Sequence, residues 1–143
     1  MIDDIVNDHL QRIVKYRKEL EGIAAKKQND FINDPILIMA AERLFHLAIE
    51  SCINIANKIL SLEQFNKPVT PPETYADIFR ELGNLGLVTK PFSEKLVKMA
   101  KFRNRLVHLY WEVDTGELYK YMTENLEDFQ AFIDQIVNYY NSR

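Results

Sequence analysis

The sequence is poor in the residues that staple or punctuate a chain. Its one cysteine, Cys52, can form no internal disulfide and sits in an apolar stretch of helical spacing, so it reads as a small buried hydrophobe in a reducing compartment. With four glycines and five prolines in 143 residues there is no glycine-rich phosphate loop, which argues against an enzyme driven by ATP or a dinucleotide. No run of Gly, Ser, Pro, Asn or Gln marks a flexible linker, and no repeat of about 20 to 50 residues is visible. No apolar run approaches the ~20 residues of a membrane span, and the first residues carry acids where a signal peptide has bases. A cytoplasmic location is expected, with no membrane partner. HExxH and CxxC are absent, and neither His9 nor His46 has a defensible ligand partner at i+4. Neither a metal nor a cofactor is therefore expected.

What is present is enough for a core: 47% hydrophobic and 11% aromatic residues in one domain, residues 1–143. Ile2, Ile5, Val6, Leu10, Ile13, Val14, Leu20 and Ile23 recur at spacings of three and four and predict a first helix. Asp34 and Pro35 supply an N-cap and a first helical position for a second, whose start from Ile36 to Ala41 is apolar on every side and must be covered by neighbours or a second subunit. The spacing Thr70-Pro-Pro-Glu73 predicts a capping box before a third helix ending at Gly83 and Gly86. A fourth helix begins near Pro91. Asp114-Thr-Gly-Glu117 has cap spacing before a last helix with Leu118, Met122, Phe129, Phe132, Ile133, Ile136 and Tyr140 on its buried face. No segment reads as a strand. The expectation is an all-α, up-and-down bundle of about five helices.

Charge is uneven. Between Thr89 and His108, six basic side chains (Lys90, Lys95, Lys98, Lys101, Arg103 and Arg105) stand against Glu94 alone, a basic segment in a chain whose total is −3. Lys95, Lys98, Lys101 and Arg105 point away from the apolar stripe of Phe92, Leu96, Met99, Leu106 and Val107 and read as a solvated face near a helix C-terminus. Arg103 does not. It falls in the middle of that stripe, at the spacing of a core residue, and a buried guanidinium requires a carboxylate, a wet cleft or an anionic ligand.

His108 follows five residues later, about 140° round the helix, with Asn104 between them. An imidazole titrating near neutrality can move a proton at an alcohol or leaving oxygen, and arginine offers a planar fork for phosphate oxygens. Together they suit metal-free RNA cleavage, in which the 2′-hydroxyl attacks its own phosphate and no separate nucleophile is needed. Two other readings use the same residues. One is a nucleotide- or RNA-binding module, or an accessory subunit of a nucleotidyltransferase, that does not cut. The other is a bundle in which Arg103 merely pairs with Glu42 or Glu50.

The stretch RNRLVHLY, Arg103 to Tyr110, resembles the R-x4-H-x-Y signature of the HepT-like branch of the HEPN superfamily, small all-helical proteins with R-x4-6-H active sites. ERLFHLAIESCINIANKIL resembles that family's long second helix, and TYADIFRELGNLGLV its short third helix and turn, so the resemblance covers most of the chain from about Glu42 onward. It implies a homodimeric, metal-independent ribonuclease acting as the toxin of a toxin–antitoxin pair, silenced when a minimal nucleotidyltransferase antitoxin attaches AMP to the motif tyrosine. On that resemblance Arg103 and His108 are catalytic at a dimer cleft, Asn104 orders the site and Tyr110 is the modified residue.

Overall fold

The computed structural model describes residues 2–142, with the side chain of Tyr110 also outside the described residues. Among these residues seven α-helices run in the order α1 (Asp4–Ala24), α2 (Gln28–Ile32), α3 (Pro35–Glu63), α4 (Tyr75–Asn84), α5 (Lys90–His108), α6 (Thr115–Glu124) and α7 (Glu127–Asn141). A 3₁₀ turn, Tyr110–Glu112, lies between α5 and α6. The all-α expectation holds, with no strand among the described residues. The helix count differs from about five for two local reasons. A short α2 forms where the first periodic pattern fades, and the expected last helix breaks at Asn125. That break turns α6 onto α2 and the turn before it, where the Tyr119 hydroxyl donates to the Lys26 carbonyl at 2.7 Å, and leaves α7 free to pack on α1.

Caps decide where the helices start. Asp34 accepts from the backbone N–H groups of Ile36 and Leu37, as the sequence predicts. The start of α4 lies later than the expected Thr70 box, because Thr74 is the cap and accepts from the Asp77 N–H at 3.1 Å. Asp114 is the N-cap of α6 but makes no side-chain cap bond, while Glu117, its expected box partner, interacts with the Asp114 backbone and is bonded by Arg105 as well.

α3 is the axis of the bundle: α1 lies along it on one side, and the α4–α5 pair packs on another. Phe45 of α3 sits among the rings of Phe102, Tyr121 and Phe129, while Phe102 and Tyr121 stack with centroids 4.3 Å apart. Burying each such ring contributes on the order of 1.5–3 kcal/mol, so this cluster fixes the rotation of α5 about its own axis. With Phe102 pinned inward, the next residue, Arg103, is carried into the seam with α3 and α4.

The α4–α5 hairpin is unusually close. A Cβ on Gly83 would stand 2.6 Å from the Ser93 Cβ, and the Ser93 hydroxyl donates to the Phe79 carbonyl at 2.8 Å. Gly86, at φ +73°, makes the turn between them. Because the two helices run antiparallel from this point, the first residue of α4, Tyr75, comes to lie beside the last turns of α5.

Two apolar expectations narrow. On α1, Val6, Leu10, Ile13 and Leu20 are buried, whereas Ile5 and Val14 face outward. At the start of α3, Ile36 is 78% exposed and Met39 68%, so this chain's own helices do not cover that apolar turn. Cys52 is fully buried, and burial pushes its thiol well above the ordinary range.

Candidate active site

Arg103 is only 7% exposed, as its place in the apolar stripe requires. Its guanidinium is surrounded on several sides and tightly bound on none. Nη2 lies 3.4 Å from the Glu50 carboxylate and 3.5 Å from His46 Nε2, and Nη1 donates to the Asn104 side-chain oxygen at 3.3 Å. Cζ sits 4.9 Å from the centroid of the Tyr75 ring, within cation–π range. Nε is buried and has no hydrogen-bond partner among the described residues. A guanidinium with five donors in a fixed fork is thus held in place with donor capacity left over.

Glu50 is the hub. Its Oε2 lies 2.8 Å from His46 Nε2 as well as 3.4 Å from Arg103, and its side chain is 42% exposed, so water reaches the carboxylate. On the other side of the imidazole, Arg43 Nη1 lies 3.2 Å from His46 Nδ1. Arginine can only donate, so Nδ1 must accept and the ring proton belongs on Nε2, which donates to Glu50. Donors therefore converge on Glu50 from two sides, Arg43 through His46 on one and Arg103 on the other.

His46 and Glu50 correct the sequence reading, which left His46 without an i+4 partner: the two face each other at that spacing on α3. Glu50 is one of the two carboxylates that the sequence offered to Arg103. The other, Glu42, makes no ion pair with Arg103, and partial burial raises its carboxyl above the ordinary range. Among the described residues no three of His, Cys, Asp and Glu stand close enough to hold a metal ion.

His108 ends α5 and is exposed. It borders a cavity of about 580 Å³ together with Asn57, Glu73, Thr74, Tyr75 and Asn104. No hydrogen bond joins His108 to Arg103, but two residues of this cavity's wall touch the guanidinium: Tyr75 carries it on its ring, and Asn104 accepts from it. The structure brings Arg103 and Asn104 into direct contact and sets His108 around the corner from them. The expected modification site, Tyr110, follows His108 by two residues, but its side chain lies outside the described residues.

Arg105, expected on a solvated face, is paired. It makes a two-pronged bond to Glu117 at 2.5 and 2.9 Å and reaches the Glu112 carbonyl at 3.3 Å, tying α5 to α6 across the 3₁₀ turn. Lys90, Lys98 and Lys101 remain on the outer face of the α4–α5 hairpin, where they line a shallow groove with Arg80.

This order of helices, with an arginine buried near the end of α5 and a histidine beside a cavity at its last residue, is that of a HEPN-type bundle. The family model described as "Ribonuclease HepT-like" matches residues 6–136, and the chain belongs to that family. It is 32% identical over 138 residues to the mRNA nuclease HepT of Shewanella oneidensis, covering 95% of this chain and 98% of that protein. It is 26% identical over 135 residues to the tRNA nuclease HepT of Aphanizomenon flos-aquae, covering 94% and 89%. Among solved structures, the tri-AMPylated HEPN toxin of Shewanella oneidensis in complex with its MNT antitoxin superposes with a TM-score of 0.86 at 29% identity, over 96% of this chain and 99% of that one. No helix among the described residues is long and apolar enough to cross a membrane.

Proposed function

We propose that this chain is a metal-independent endoribonuclease, the toxin of a toxin–antitoxin pair. Arg103 binds and neutralises the scissile phosphate, and His108 moves the proton. The observation that carries the reading is the state of Arg103: buried in an apolar stripe, fixed by Tyr75, Asn104 and Glu50, yet with no contact shorter than 3.3 Å and Nε unpartnered. An arginine with a purely structural role takes a tight two-pronged partner, as partly exposed Arg105 does two residues away. Names of relatives point the same way: two are RNA nucleases, and the superposed toxin is bound to a nucleotidyltransferase antitoxin.

In the proposed reaction, the His108 imidazole accepts the proton of the ribose 2′-hydroxyl, and the freed oxygen attacks the adjoining phosphorus. The bond to the 5′-oxygen breaks, and the imidazolium returns its proton to that leaving oxygen, giving a 2′,3′-cyclic phosphate and a 5′-hydroxyl end. Arg103 offers preorganised donors to the phosphoryl oxygens as charge builds on them, and a preorganised donor of this kind contributes roughly 10²–10³-fold in rate. Glu50, itself oriented by His46, holds the guanidinium in place and releases it at little cost because the bond is long.

The working form in this reading is a homodimer, in which the exposed Ile36 and Met39 turn of α3 is covered and two sites face a common cleft. AMP attached to Tyr110 by the nucleotidyltransferase would put a phosphate in reach of the cleft and block the substrate. The test combines three measurements on the purified protein: intact mass to establish that Tyr110 is unmodified, size in solution, and cleavage of RNA in EDTA. Wild type is expected to be a dimer that cuts, with loss of cutting in both Arg103→Ala and His108→Ala at unchanged dimer size. An unmodified dimer that binds RNA and produces no new ends would replace this reading with that of a binding module.

A further inference from the structure

The cavity beside His108 is large enough for more than a phosphate. At about 580 Å³ it lies within the range of small-molecule sites, and its lining is uneven. On the α5 side it is closed by His108 and by Asn104, which is bonded to Arg103. On the side where the chain enters α4 stand Glu73 and Thr74. Tyr75 lies between, with the Arg103 guanidinium over its ring and its own side chain partly exposed to the cavity. α3 adds the exposed amide of Asn57.

We infer that this cavity is a nucleobase pocket next to the scissile phosphate, and that it favours a base with adjacent N–H donors, guanine above all. The inference rests on the ribonuclease reading for the placement of the phosphate. A phosphate drawn to Arg103 and His108 is repelled by the Glu73 carboxylate, so the nucleotide enters with its phosphate toward α5 and its base toward Glu73. The Tyr75 ring offers the base a stacking surface, a contact every base can use and which sets affinity, not choice. Choice comes from the rim. An ionised carboxylate only accepts hydrogen bonds. Guanine presents N1–H and the N2 amino group side by side to such an acceptor, whereas uracil presents one N–H flanked by two carbonyl oxygens that Glu73 repels. The Asn104 oxygen is already used by Arg103, which leaves its amide NH₂ to donate to a base carbonyl, and Asn57 offers both a donor and an acceptor.

The experiment uses short RNAs that differ only in the base on either side of one bond, cut by wild type and by Glu73→Gln, with kcat/KM for each. Glu73 is exposed, so the substitution leaves folding intact, as circular dichroism would verify. Wild type is expected to favour guanine over uracil about tenfold at one flanking position, and E73Q to shrink that ratio to about twofold, the size of effect that a paired carboxylate contact supports. Equal cutting at every base, or a guanine preference that E73Q leaves untouched, would overturn the inference while leaving the nuclease in place. A separate titration keeps the two claims apart. Side-chain amide signals of Asn57 and Asn104 are expected to shift with guanosine monophosphate far more than with uridine monophosphate, whether or not any RNA is cut. Equal responses, or none, would overturn the pocket.

Discussion

Arg103 and Arg105 are two residues apart on one helix, about 200° apart around it, and they lead opposite lives. Arg105 is partly exposed and bound tightly to one carboxylate, at 2.5 and 2.9 Å. Arg103 is buried and bound loosely to several groups, none closer than 3.3 Å. Burial alone would predict the reverse, since a buried charge has more need of a close partner. The difference teaches that geometry around a charge says more about its use than burial does: Arg105 is committed to holding α6 against α5, and Arg103 is held in place with its donors in reserve.

The comparison can be broken most directly at Arg103. Arg103→Ala is expected to lower kcat for RNA cleavage about 10³-fold. Its thermal midpoint should fall by only a few degrees, because the Glu50 it strands is reached by water. A collapse in stability with activity per folded molecule intact would make Arg103 structural after all. His108→Ala comes next, with a loss of about 10²-fold and an unchanged midpoint, since the side chain is exposed at a helix end. Glu50→Ala should cost about tenfold in kcat through misplacement of the guanidinium, with Glu50→Gln recovering part of it by keeping one acceptor. Steady-state kinetics on both variants would check this, and equal loss in the two would argue that charge and not positioning matters at residue 50.

At Arg105 the expected effects are on stability only. A double-mutant cycle of Arg105→Ala and Glu117→Ala should give a coupling of about 0.5–1 kcal/mol by denaturant unfolding, with cleavage unchanged. The pair also predicts a pH dependence. The hydrogen bond from Arg105, opposed by some burial, holds the Glu117 carboxyl below the ordinary carboxylate range. A depressed folded value means that the stabilisation is complete above the unfolded carboxylate pKa and is lost as pH falls through the lower folded one. The midpoint difference between wild type and Glu117→Gln should therefore be constant at neutral pH and close in acid.

Much of this was legible in the sequence, and the parts that were not share a cause. Arg103 is visible because a 3.6-residue period makes a charge in an apolar stripe stand out. Glu50 was nameable as a partner, but choosing it over Glu42 needs the rotation of α3 against α5, which the Phe45 ring cluster sets. His46 went unseen because its meaning depends on Arg103, 57 residues away, although its i+4 relation to Glu50 was there to be read. The break at Asn125 is hidden because the apolar spacing from Leu118 to Tyr140 runs through it. What forces the break is the docking of Tyr119 on α2, a tertiary contact. Thr74 displaces Thr70 as cap because the Pro71-Pro72 pair leads into the helix and leaves Thr74 as the hydroxyl next to its first turn.

The glycine at position 83 touches neither Arg103 nor any of its partners, yet it governs them. α4 is a rigid rod of ten residues with its glycine clasp near one end and the aromatic plate under Arg103 at the other, about 12 Å away. Any side chain at 83 would wedge the clasp open, and the rod would swing the plate off the guanidinium. A residue far from the chemistry thus sets the tolerance to which the arginine is aimed, and its lack of a side chain is as much a component of the site as the imidazole.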